Sequence, residues 1–265
     1  PDSAAQAKAR EYFYQGVLAQ SSGRTMEAFD LLRHARALDP TDPAIAFMLG
    51  GNYAQQGMSD RALSLLEEAY EADSTNLTYA RALSAGYIEA GRMQDALHIN
   101  ERLSAADPED DDVRYRLIQL YARTGELKKG IQLATELQKR FQPMPEAYGQ
   151  LTKMKIQLLA LSKDSVAVGR EYRAWATLYH EDRRPYYDWI LHLFQTGSAK
   201  EAEKQLTSDV RAGRISSGDA TALRVHKYIL QKDYPAAEAE LVRLTPDKKI
   251  GADEKVTLWL LLTKE

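Results

Sequence analysis

The sequence predicts an all-α fold, a stack of helical hairpins repeated along the chain, and three columns of residues kept in phase predict it. Gly23, Gly57, Gly91 and Gly125 stand 34 residues apart, each between two stretches of helical apolar spacing. Glycine there suits the left-handed residue that ends one helix before a tight turn into the next. Leu49, Leu83 and Leu117 share the same period, and four residues after each come Tyr53, Tyr87 and Tyr121. This spacing puts leucine and tyrosine on one face of the first helix of each hairpin, which is expected to be buried. Ala28, Ala62 and Ala96 follow the glycines by five residues, with Gly130 in the fourth place, and such small side chains let two helix backbones approach closely.

Composition allows this and excludes little else. A chain of 265 residues with 44% apolar side chains buries a core, and a net charge of −3 gives no global field for nucleic acid or anionic membrane. The absence of cysteine removes disulfides, thiolate metal sites and cysteine nucleophiles. It leans towards export, while cytoplasm and periplasm both remain open. The longest apolar run near either end, Leu258 to Leu262, is far shorter than a membrane span, so no membrane insertion is expected. The chain starts at Pro1, which leaves room for an upstream segment such as a signal peptide.

Four regular hairpins follow one another without insertion over 9–42, 43–76, 77–110 and 111–144, so 1–144 forms the regular part. Leu32 and Leu66, then Ala35 and Ala69, continue the apolar stripe of the second helices, and Pro40 and Pro108 mark their exits. In 145–265 the pattern loosens but continues. Gly197 lies 72 residues after Gly125, two periods and four residues more, so the hairpin at 145–182 is degenerate and its helices are expected to be longer. The hairpin at 183–217 returns to pattern with Leu193, Gly197, Ala202 and Leu206. In 218–251, Tyr228, Ala237 and Leu241 are in place, with Lys232 where the turn glycine belongs. Residues 252–265 read as a terminal helix whose Val256 and Leu258 to Leu262 cover more of its circumference than a cap requires. Either the chain continues beyond it or that helix meets another subunit.

These columns resemble the tetratricopeptide repeat family, whose 34-residue helix-turn-helix unit has the same small, leucine, tyrosine and proline positions. Gly50, Tyr53, Gly57, Ala62, Leu66 and Ala69 carry the match most fully, although Ser74 replaces the usual proline and Ala46 the large aromatic residue near the start. The resemblance implies a right-handed α-α superhelix of about seven hairpins plus a C-terminal helix. It also implies that the first helix of each pair lines a concave groove that takes a protein or peptide.

On that basis the groove strip comprises Arg10, Phe13 and Val17, then Phe47, Gly51 and Ala54, then Arg81, Ala85 and Ile88, then Tyr115, Gln119 and Arg123. Aromatic, small and basic side chains alternate there, as suits an extended peptide whose side chains enter pockets while arginines pair with its carboxylates. The alternative is that several of these residues pack inside their own hairpin. Chaperone-binding members of the family hold a C-terminal carboxylate with lysine and asparagine, but the matching places here carry Phe13, Val17, Met48, Thr78 and Ala82, so that clamp is not expected. A second candidate surface is the aromatic concentration at Trp175, Tyr179, Tyr187, Trp189 and Phe194, with Tyr172 and Tyr186 close in sequence. Tyr172, Trp175 and Tyr179 are expected on one helical face, with the next helix starting at Pro185. These rings read either as core of the degenerate hairpin or as a partner pocket rich in hot-spot residue types.

Signs of chemistry are weak. The five histidines are scattered, without the helical pairing a metal site needs, and no cofactor is implied. Gly86 to Arg92 has the outline of a phosphate loop but lacks its lysine and hydroxyl residue, and the acidic run Glu109 to Asp112 reads as the start of a helix. Basic pairs such as Lys128-Lys129 and Arg183-Arg184 occur apart from one another, so no continuous phosphate track forms. The sequence therefore points to a non-catalytic scaffold or adaptor. The alternatives are the repeat portion of a larger enzyme or sensor, or an assembly module that self-associates through 252–265.

Overall fold

The computed structural model describes residues 3–244; the expected helix at 252–265 lies outside them. The described residues form fourteen α-helices and no strand. These are α1 (Ser3–Ser21), α2 (Thr25–Leu38), α3 (Pro43–Gln55), α4 (Ser59–Ala72), α5 (Leu77–Glu89), α6 (Met93–Ala106), α7 (Asp111–Thr124), α8 (Leu127–Arg140), α9 (Pro145–Leu161), α10 (Ser165–Leu178), α11 (Arg183–Gln195), α12 (Ala199–Arg211), α13 (Ser217–Leu230) and α14 (Tyr234–Leu244). The chain divides into two compact units, Pro1–Leu133 and Ala134–Glu265.

Turn chemistry sets the hairpins. Gly23, Gly57, Gly91, Gly125 and Gly197 all take φ between 73° and 80°, the left-handed conformation that glycine adopts without steric cost. In the first three turns the amide of the next residue reaches back five positions, as in Met58 N to Tyr53 O at 2.9 Å, which closes the end of the first helix. Lys163 and Lys232 adopt the same geometry at φ 60° and 59°, with Asp164 N to Leu159 O and Asp233 N to Tyr228 O completing it. Lys163 thus stands 38 residues after Gly125 and 34 before Gly197, which places the extra four residues before it. They lengthen α9 to 17 residues, against 13 in α3 and α5, whereas α10 keeps the 14 residues of α4 and α6. Only one helix of the degenerate hairpin is longer, not both.

Between hairpins, Asp39, Asp73 and Asp107 receive the amides of Thr41, Thr75 and Glu109 in side-chain turns spaced 34 apart. Asp42, Asn76 and Asp110 then cap α3, α5 and α7. Asp110, within the acidic run, acts as that cap by accepting from Val113 N at 3.1 Å. At α11 the cap is Asp182 and the helix begins at Arg183, two residues ahead of the expected Pro185, which sits in a first turn that needs no amide from it.

The first unit buries the expected columns. Leu49, Leu83 and Leu117 are no more than 4% exposed, as are Ala28, Ala62 and Ala96. A Cβ on Gly50 would lie 3.2 Å from the Ala62 carbonyl oxygen, a measure of how closely α3 and α4 approach. The tyrosine column departs from expectation in part. Tyr121 is buried, while Tyr53 and Tyr87 are half-buried. Tyr121 donates to Glu101 at 3.0 Å, and burial followed by a hydrogen bond to Glu67 pushes the Tyr87 hydroxyl up to about 12. Successive hairpins are tied by Arg36 to Glu68, Arg102 to the Tyr70 hydroxyl and Asn52 to Gln20.

The second unit keeps these columns at Ala202, Leu206, Ala237 and Leu241, all fully buried, and adds other means around α9 and α10. Lys155, 8% exposed, pairs with Glu171 at 2.6 Å and donates to Gln138, whose amide in turn donates to Thr152 at 2.8 Å. The ring of Trp175 fills the space over Gly149, where an added Cβ would come within 2.7 Å of it.

Candidate functional site

Every residue of the strip expected on the first helices has some solvent access. Arg10, Val17, Ala54, Arg81, Ala85, Gln119 and Arg123 are exposed, and Phe13, Phe47, Gly51, Ile88 and Tyr115 are half-buried. The half-buried members explain themselves by packing. Phe13 lies against Ala9, Ala35 and Ile45, and Phe47 stacks at 5.0 Å on Tyr79, while Ile88 rests on the Ala96 and Leu117 cluster. Burial raises the Tyr115 hydroxyl above its ordinary value. Arg81 is engaged with the cap carboxylate of Asp110 at 2.6 Å, and Arg123 contacts the Met93 sulfur. Gly51 faces open space, since a Cβ there would meet nothing within 4 Å. Along α1, α3, α5 and α7, partly seated rings therefore alternate with open small residues.

The structure does not gather the aromatic concentration into one site. Trp175 is seated over Gly149, and Phe194 lies in the core with Leu206 and Leu223. Tyr179 does not continue the face of Trp175. It caps the end of α10, packs edge-on against Tyr148 at 5.3 Å and donates to the Gln142 carbonyl. Tyr187 turns towards Asp219, and burial with that hydrogen bond raises its hydroxyl to about 12. Trp189 lines a cleft, together with Tyr186. A second cleft of about 560 Å3 lies between α9 and α11 with Val168 and Tyr172 of α10 in its wall. Asp188 opens into it, and burial raises its carboxyl above the ordinary range.

The buried acid Asp209 was not singled out from sequence, though a signal exists. It follows Ala202 and Leu206 at helical spacing on the apolar stripe of α12, where a hydrophobic residue is expected. Burial alone would raise its carboxyl, but hydrogen bonds from Tyr186, Gln205 and Arg214 outweigh that and hold it below the usual range. Among the described residues no three metal-ligating side chains cluster, and no helix is long and apolar enough to cross a membrane.

A tetratricopeptide repeat family model matches residues 19–86 and 87–153, more than half of the chain. The chain belongs to the tetratricopeptide repeat family. A tetratricopeptide repeat protein from Parabacteroides merdae is similar over 97% of this chain and 99% of its own, at 17% identity and TM-score 0.54. YrrB, described as a tetratricopeptide repeat protein with an unusual peptide-binding site, is similar over 67% of this chain and 89% of its own, at 15% identity and TM-score 0.55. The Naa15/Naa10 complex bound to HypK-THB contains a chain similar over 97% of this one but only 39% of itself, at 15% identity and TM-score 0.69. At these identities the likeness shows the fold, an all-α tetratricopeptide solenoid. No curated protein matches by sequence. The fold is that of a repeat scaffold, a type suited to protein–protein interaction.

Proposed function

We propose that this chain is a non-catalytic scaffold that binds a peptide segment of a partner protein along its first helices. The observation that carries this reading is the strip on α1, α3, α5 and α7, where the rings of Phe13, Phe47 and Tyr115 stay half-buried beside open Val17, Gly51, Ala54 and Ala85. Half-seated rings give contact area at low entropic cost, and the open small positions give an incoming side chain room. The shared fold with YrrB, whose description includes peptide binding, supports the same reading.

Panning a random-peptide display library against the wild-type chain, then measuring the selected peptides by fluorescence anisotropy, tests it. Phe47→Glu and Tyr115→Glu should each weaken peptides of the groove class by at least about tenfold, as expected for loss of a hot spot, with helical circular dichroism intact. If neither variant changes any selected peptide, the strip is not the binding surface.

A further inference from the structure

A second surface lies in the Ala134–Glu265 unit, in a cleft of about 450 Å3 bounded by α10, α11, α12 and the turn that follows α12. Arg173, His180, Arg183 and Arg214 contribute to its lining, with Tyr186 and Trp189 of α11 behind them. At about 100° per residue, Tyr186 and Trp189 project roughly opposite to Tyr187 and Leu191, which continue the groove-strip positions of Tyr115 and Gln119 counted back from each turn residue. The cleft therefore opens on the face of α11 away from the positions that match the strip in register.

Its wall is fixed before any ligand arrives. Asp209, 1% exposed, accepts from the Tyr186 hydroxyl at 2.7 Å, from Gln205 Nε2 at 2.8 Å and from Arg214 Nε at 2.7 Å. A buried carboxylate with three donors holds those side chains in place. Tyr186 and Trp189 meet edge to face, with centroids 6.0 Å apart. The Arg173 guanidinium lies 5.7 Å from the centre of the Trp189 ring, which orients it by cation–π attraction.

Charge decides the occupant. Arg214 is neutralised by Asp209, and Arg183 pairs with Asp219 at 2.9 Å. Arg173 forms no ion pair with any described residue, so it leaves one guanidinium free at the cleft. That suits a single carboxylate, whereas a phosphodiester chain needs several free cations in succession. We propose that this cleft binds an acidic peptide segment of a partner protein, with one Glu or Asp carboxylate on Arg173 and an adjacent apolar side chain against Tyr186 and Ala176. Because Trp189 already positions the guanidinium, little ordering is left for binding to impose.

Random-peptide display on the wild-type chain supplies the probe, and the selected peptides are measured by fluorescence anisotropy against Arg173→Glu, Arg173→Lys and Tyr115→Glu, beside a fluorescent poly-uridine oligonucleotide. The proposal expects a class of peptides with Asp or Glu next to an apolar residue. These should bind the wild type and Tyr115→Glu equally, lose about tenfold or more on Arg173→Glu, and lose about tenfold when their acid becomes Gln, as for a charge-assisted pair. Arg173→Lys should recover part of the binding through its charge. Arg173 is exposed, so circular dichroism of its variants should match the wild type. The proposal is overturned if no acidic class is selected, if acidic peptides are indifferent to Arg173→Glu, or if the oligonucleotide binds and only its binding is lost in that variant. Loss of every peptide on Tyr115→Glu would also overturn it while sparing the groove reading.

Discussion

The hairpins of α1–α7 and those from α9 onward meet the same packing demand with partly different materials, although Ala202 and Ala237 keep the buried alanine column. In the regular part, Gly16, Gly50 and Ser84 recur on the first helices and Ala28, Ala62 and Ala96 on the second, so backbones approach, and the most deeply enclosed polar side chains, Asn52, Ser84 and Asn100, carry no charge. The charged tie between Arg36 and Glu68 is partly exposed. From α9 on, Trp175 and Trp189 fill volume, and Lys155 with Glu171 and Asp209 with its three donors are enclosed instead. A strict period lets each helix face meet a copy of the surface its neighbour met. Once α9 gains four residues that correspondence fails, and large rings and polar networks close most of the mismatch. Clefts of about 560 and 450 Å3 remain open among these helices.

The largest expected effect falls on one of those networks. Lys155→Met keeps the length of the side chain but strands the Glu171 carboxylate, whose side chain is 20% exposed, and should cost the second unit about 3 kcal/mol. Native-state hydrogen exchange reads this region by region, which matters for a repeat array whose parts need not unfold together. Adding Glu171→Gln should recover most of the loss by removing the unpaired charge. An equal loss of protection across α1–α6 would break the distinction between the two regions.

How much of this was legible in the sequence follows from the same contrast. Fold class, turn glycines and the buried alanine column could be read because each rests on a local rule repeated four times: left-handed φ at Gly57, close approach at Ala62. The turn at Lys163 escaped because lysine seldom takes positive φ, so nothing in its chemistry announced a helix end. For the same reason the four extra residues could not be assigned to α9 rather than shared with α10. The strip residues could be named from the period, yet that Phe47 stacks on Tyr79 while Ala54 stays open depends on side chains of neighbouring helices. Dispersal of Trp175, Tyr179, Tyr187, Trp189 and Phe194 over separate contacts was hidden too, because sequence proximity carries no direction across a helix end at Leu178.

A pair of glycine substitutions sharpens the comparison at intermediate size. Gly149→Ala would drive a methyl to within 2.7 Å of the Trp175 ring, and should cost about 1–3 kcal/mol by overpacking. Gly51→Ala meets nothing within 4 Å and should stabilise α3 by about 0.5–1 kcal/mol through helix propensity. Thermal and urea unfolding measure both. Should Gly149→Ala prove as harmless as Gly51→Ala, Trp175 is not the rigid filler that the degenerate hairpin relies on.

The smallest effect concerns what the two regions share. Lys163 and Lys232 close their turns with the same backbone bonds as Gly57, but as residues with a Cβ at φ near 60°. Left-handed backbone costs such a residue about 1 kcal/mol, and glycine removes that cost while raising the entropy of the unfolded chain. Lys163→Gly and Lys232→Gly should therefore gain only about 0.5 kcal/mol each, whereas Gly57→Ala should lose about 1 kcal/mol. Exchange protection of the amides of Asp164, Asp233 and Met58 reports each turn separately. Gains at both lysines with a loss at Gly57 would mean that the turn is common to every hairpin, and that the divergence lies in the four residues added to α9. A loss at either lysine would mean that its side chain holds the turn by contacts the glycine turns do not have, and the difference between the regions would then extend to the turns themselves.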